Sequence, residues 1–271
     1  MSRVRSMNSQ PDFWELPNRP GAIFLFLASG LLVLVGLHYG LERYIEGDFW
    51  PKFLIDRNGP SQGDQGNYYP FTIHAVLHLT FFIGLGELFV RWRVAERESA
   101  FLREEFLPED EETVLQSHDL GPIRMTVTQR FDSEHGFLPS LIDISILQYF
   151  SSRSVDQTVS VLNSSMELIG HRLDLRYNPI RYLAWLIPTI GFIGTVLGIA
   201  LALKDIDPLV PDLEKITQSL GMAFYTTIIA LCWSAILAFM IHYVQAREER
   251  SLNDAGHYTL RNLINRLYTG E

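Results

Sequence analysis

Along the chain, apolar residues gather into four long runs separated by polar stretches, and each run is long enough to matter. A bilayer core of roughly 30 Å needs about 20 residues of helix. Residues 22–39 are apolar with only His38 near the end; residues 71–90 are apolar apart from His74, His78 and Glu87. Residues 182–203 hold no ionisable group beyond the tyrosine at their start, and residues 220–243 hold only His242 near their far end. The pattern predicts an all-α, polytopic membrane protein with four transmembrane helices. A cleaved signal peptide is the alternative for the first run, but that run is long for one and has no A-x-A site after it.

The polar stretches predict the rest of the organisation. Residues 1–21 are a short polar lead, 40–70 an irregular outer loop rich in Gly, Asp and Asn, and 204–219 a short outer loop. Residues 91–181 form a helical domain whose charged start, 91–105, continues the second span. Pro108 and Gly121-Pro122 punctuate it, and the acidic run 104–112 reads as a solvated face. Residues 138–150 read as a helix, with apolar positions 138, 141, 142, 146, 147 and 150. Ser154 and Gln157 then form a capping box. The helix after it carries one apolar stripe, Val155, Val159, Leu162, Met166, Ile169 and Leu173, that predicts packing on the extension of the second span or on a neighbouring subunit. Pro179 is expected to bend the chain where this helix meets the third span. Residues 244–271 read as a C-terminal amphipathic helix.

Charge sets the orientation. Three Arg precede the first span, ten lie in 91–181 and four follow the fourth span, whereas the two outer loops share five Lys and Arg. The positive-inside rule places both termini and residues 91–181 in the cytoplasm. Tyr39, Tyr44, Tyr68 and Tyr69 would mark the outer interface, and Trp92, Tyr182, Trp185 and Tyr243 the inner one. The net charge of −9 excludes a nucleic-acid footprint. The single cysteine, Cys232, excludes an internal disulfide framework. No G-x-S-x-G, P-loop or H-E-x-x-H element is present, so no motif supports an enzyme.

The third and fourth spans carry the most specific pattern. Pro188, Gly191, Thr195, Gly198 and Ala202 share one helix face, and Ala223, Thr227, Ala230, Ser234 and Ala238 share another. Small faces let backbones approach, so the spacing fits close helix packing. It equally fits a narrow passage whose polar contacts are the threonine hydroxyls. Of the remaining polar residues, His74 and His78 share a face and lack a third ligand, which makes them interfacial polar residues ahead of a metal or haem site. His242 reads as an interfacial anchor. Glu87 lies four residues before Arg91, in position to pair with it, and is a candidate for ion exit.

The run Ile187-Pro-Thr-Ile-Gly-Phe-Ile-Gly-Thr-Val-Leu-Gly-Ile199, followed by Gly221-Met-Ala-Phe-Tyr-Thr-Thr-Ile-Ile-Ala-Leu231, resembles the last two helices of the MotA/TolQ/ExbB family. The resemblance covers residues 180–247. It implies the ion-channel subunit of a membrane motor in the bacterial inner membrane. It further implies a homopentamer around two copies of a MotB/TolR/ExbD-like single-span partner that brings a membrane aspartate. Thr195 and Thr227 match the family's pore threonines. The transported ion would be a proton, or else sodium, and no cofactor is implied. Four spans resemble MotA; Gly194-Thr195 resembles ExbB and sodium-type stators, with Met222 where ExbB-like members carry a glutamate. A membrane scaffold whose small faces only pack is the rival reading.

Overall fold

The computed structural model describes residues 18–44, 53–54, 72–104, 106–110, 112–130, 136–204, 206 and 213–268. The lead before residue 18, most of the outer loop 40–70 with Tyr68 and Tyr69, and most of 205–212 lie outside the described residues. The described chain is all-α. The helices are α1 (Arg19–Tyr44), α2 (Ile73–Phe101), α3 (Ser117–Arg130), α4 (Phe137–Ser152), α5 (Val155–Lys204) and α6 (Leu213–Asn262). A 3-10 turn, Ile264–Arg266, follows α6. Four of these helices, α1, α2, α5 and α6, are long and apolar enough to cross a membrane. With no strand among the described residues, this is a multi-pass, all-α membrane protein.

The residues divide into two compact units. The described part of one comes from 18–90 and 178–242. Its buried core runs through Leu77, Phe81 and Leu88 of α2, Ile187 of α5, and Ile229 and Leu237 of α6. Its outer surface is equally apolar: Phe24 and Leu32 of α1, Phe192 of α5 and Phe239 of α6 are each exposed. Apolar residues on both sides of a helix are what a lipid solvent requires. Gly86 is needed where α2 meets α1, because a Cβ there would lie 3.1 Å from the Cα of Ile23. Beside this contact Phe26 and Phe89 pack with ring centroids 5.4 Å apart.

The other unit draws on 91–177 and 243–268. Here the apolar residues turn inward, with Leu120, Leu138, Leu141, Ile142, Ile146, Leu162 and Leu173 almost fully buried. The stripe predicted on 155–173 packs on the chain's own α6: Gly170 faces Leu252, and Met166 lies against Gly256. Gln157 N–H donates to Ser154 Oγ at 3.4 Å, one half of the expected capping box. Arg153, in the left-handed region with φ 51°, ends α4 and donates its N–H to the Tyr149 carbonyl. The segment after α6 is pinned by a parallel bridge, with Leu115 N–H to the Arg266 carbonyl at 2.8 Å and Tyr268 N–H to the Leu115 carbonyl at 3.0 Å.

Three boundaries differ from the sequence reading. Gly121-Pro122 does not break the chain; Pro122 lies inside α3. The carbonyl it leaves unbonded belongs to exposed His118, where water can serve it. The helix at 155 and the third span are one 50-residue helix with Pro179 and Pro188 inside it. The fourth span and the C-terminal helix are also one 50-residue helix, and it begins at Leu213, within the stretch read as outer loop.

Candidate ion-pathway site

The small-residue faces of α5 and α6 lie against each other. A Cβ on Gly198 would come within 2.6 Å of the Ala223 Cβ, and one on Gly191 would collide with the Ala230 Cβ. Gly194 meets the Thr226 hydroxyl in the same way, at 2.8 Å. Gly191, Gly198, Ala223 and Ala230 are buried by this contact, and a larger side chain at any of them would push the helices apart.

Thr195 and Thr227 sit at the edge of the same contact, each partly exposed, with their hydroxyls directly touching. A carbonyl of the facing helix lies within reach of each: Thr195 Oγ1 is 2.9 Å from the Ala223 oxygen, and Thr227 Oγ1 is 3.0 Å from the Gly191 oxygen. A hydroxyl has one proton and two lone pairs. One of the two protons lies between the touching oxygens and the other can go to a facing carbonyl, which leaves lone pairs of both oxygens at the helix edge.

Pro188 and Ser234 act together one level along. Proline has no N–H, so the Ala184 carbonyl, four residues earlier, loses its helical partner. Ser234 of α6 donates its Oγ to that carbonyl at 2.8 Å. A neighbouring helix thus satisfies the group a proline has freed, as the absence of water in a bilayer demands.

Thr226 was not singled out by the sequence. It is buried beside Thr227 and bonds the Ala223 carbonyl of its own helix at 2.7 Å. The Gly194 position, which meets Thr226, also meets Ile73 of α2. Only the adjacency Thr226-Thr227 hinted at it.

Glu87 stands apart from this group. Its carboxylate is gripped by Arg19 at the start of α1, with Nη2 to Oε1 at 2.7 Å and Nε to the two oxygens at 3.0 and 3.1 Å. The expected i,i+4 partner, Arg91, instead approaches Glu248 at 3.9 Å. Tertiary reach here overrides helical spacing.

His74 and His78 are both buried on α2. Both ring nitrogens of His78 are engaged: Trp233 Nε1–H donates to Nδ1 at 3.0 Å, and Nε2 bonds the Leu54 carbonyl at 2.9 Å. Neither nitrogen is left for a metal, and no cluster of three metal-binding side chains occurs among the described residues. Both side chains are enclosed by protein rather than exposed on the surface of the helix.

A second polar cluster occupies the other unit. Glu248, fully buried, accepts the Tyr177 hydroxyl at 2.7 Å. Burial pushes the Glu248 carboxyl above the usual range, while the Tyr177 hydrogen bond and Arg91 hold it back. Glu98, also buried, takes Arg97 at 3.0 Å and the Phe137 N–H at 2.8 Å. Burial raises its carboxyl too.

Residues 139–255 match the family model described as the MotA/TolQ/ExbB proton channel family. This part of the chain is similar to that family. The match takes in most of α4, all of α5 and α6 as far as Ala255, and so includes both threonines, Ser234, Tyr177 and Glu248. No curated protein and no solved structure matches the chain. The matched segment contains the residues that form the α5–α6 site, while α1 and α2 lie outside it.

Proposed function

We propose that the protein is an ion-channel, stator-like subunit that couples proton flow, or sodium flow, to rotation and mechanical work. Five copies would surround two copies of a MotB/TolR/ExbD-like single-span partner in the bacterial inner membrane, with both termini and residues 91–181 cytoplasmic. The observation that carries this reading is the touching hydroxyl pair Thr195–Thr227 on the matched α5–α6 segment.

Neither 182–203 nor 220–243 contains an Asp or Glu. An intramembrane ion path needs a titratable group, so that group comes from the partner's aspartate. The lone pairs left on the two hydroxyl oxygens can accept a hydrogen bond from its protonated form or coordinate a bare cation. Protonation removes the carboxylate's charge and lowers the cost of moving it past apolar wall. Gly191, Gly198, Ala223 and Ala230 hold the two helices close enough to keep the hydroxyls paired.

The tight glycine contacts favour a second reading, a scaffold in which these faces only pack. Native mass spectrometry of the protein purified with a copurifying single-span partner separates the two. The channel reading expects five copies of the 31.1 kDa chain with two of the partner. A monomer or dimer that ignores the partner contradicts it and leaves the scaffold.

A further inference from the structure

One of the two buried histidines of α2, His78, has a hydrogen-bond pattern that admits one protonation state. At His78, Nδ1 faces the Trp233 indole N–H, a group that can only donate. Nδ1 must therefore be the acceptor. Nε2 faces the Leu54 carbonyl, which can only accept, so Nε2 carries the proton. The neutral Nε2–H tautomer satisfies both bonds. A second proton would go on Nδ1 and set one N–H donor against another.

Trp233 is more than a neighbour. Its ring stacks on Phe81 of α2, with centroids 4.3 Å apart and 24° between planes, and meets the His78 ring edge-on at 5.7 Å. Together the hydrogen bond and the stack tie α6 to α2 at the residue just before Ser234. The titratable group facing His78 is His74, one turn earlier on the same helix. Trp233, Phe81 and the Leu54 carbonyl do not titrate.

The geometry points to His78 as a proton-binding site whose occupation opens the Trp233–His78 latch between α6 and α2. Proton uptake at Nδ1 expels the indole N–H, while the Leu54 bond survives because Nε2 keeps its proton. The latch is closed when the ring is neutral and open when it is cationic. This does not rest on the channel reading, and its test does not use ion flow.

The experiment follows Trp233 fluorescence in the full chain reconstituted in vesicles, with Trp14, Trp50, Trp92 and Trp185 replaced by Phe. Acidifying from about pH 8 to about pH 4, the range in which histidine titrates, should give one reversible, one-proton change in emission. His78→Asn keeps an acceptor oxygen near the Nδ1 position without titrating, and should flatten the response. His78→Gln is a second variant judged the same way. His74→Gln should retain the step. An emission that does not change with pH, or a change that persists in His78→Asn or His78→Gln, overturns the proposal. Should neither variant insert, histidine 15N shifts of the unsubstituted chain decide: no ring Nδ1 gaining a proton across the emission step overturns it.

Discussion

At the scale of single residues, the α5–α6 contact assigns different tasks to neighbours of similar size. Glycine and alanine are wanted for the volume they do not occupy. Gly191→Ala drives a methyl into Ala230 and should destabilise the bundle by about 1–3 kcal/mol, the cost of overpacking, read by unfolding in detergent. Ser234 is wanted for its proton. Ser234→Ala leaves the Ala184 carbonyl without the partner that Pro188 denied it, and should cost about 1 kcal/mol. Restoring an N–H by Pro188→Ala in the same chain should recover most of that loss. Both faces were legible from spacing, because small residues three and four apart fall on one side of a helix. The pairing of Ser234 with Pro188 was not, since it joins residues of two helices. The His78–Trp233 bond was hidden for the same reason, spanning 155 positions of sequence.

At the scale of elements, the helices follow hydrophobic periodicity and their junctions follow tertiary contacts. The stripe on 155–173 gave the buried face of α5, and its partner, the 252–256 region of α6, emerged only when the chain folded. Helix α4 shows why caps escape sequence reading: Gly136 has no side chain to offer, and Glu98 of α2 receives the Phe137 N–H in its place. Truncating Glu98 to Ala should therefore fray α4, seen as faster amide exchange at Phe137. Glu248 supplies a pH test. Its carboxyl titrates higher when folded than when unfolded, because burial penalises the charge. The folded state then holds the proton more tightly, so this group's contribution to stability is fully present below the ordinary carboxylate range and is lost as pH rises through the raised folded value. Relative to Glu248→Gln, the natural chain should gain stability on acidification towards about pH 4.5. Equal pH profiles for the two chains would exclude the linkage.

At the scale of the whole molecule, two kinds of surface logic coexist in one chain. One unit is apolar outside as well as inside, whereas the other has a buried apolar core that also encloses Arg97, Glu98 and Glu248. Composition averages the two away: mean hydropathy is only +0.09. The windowed pattern separates them, which is why the spans were legible and the net charge of −9 was a poor guide to the membrane part. The segment matched by the proton-channel family model, 139–255, draws on both units, and both the α5–α6 threonines and the Glu248 cluster fall inside it. On the channel reading, ions pass beside Thr195 and Thr227. The direct measurement is proton and sodium flux into vesicles holding the purified complex with its single-span partner, driven by an imposed gradient. Thr195→Val and Thr227→Val keep size and lose the hydroxyl; each is predicted to abolish flux while leaving the assembled complex intact by native mass. Flux unchanged in both variants would contradict the claim.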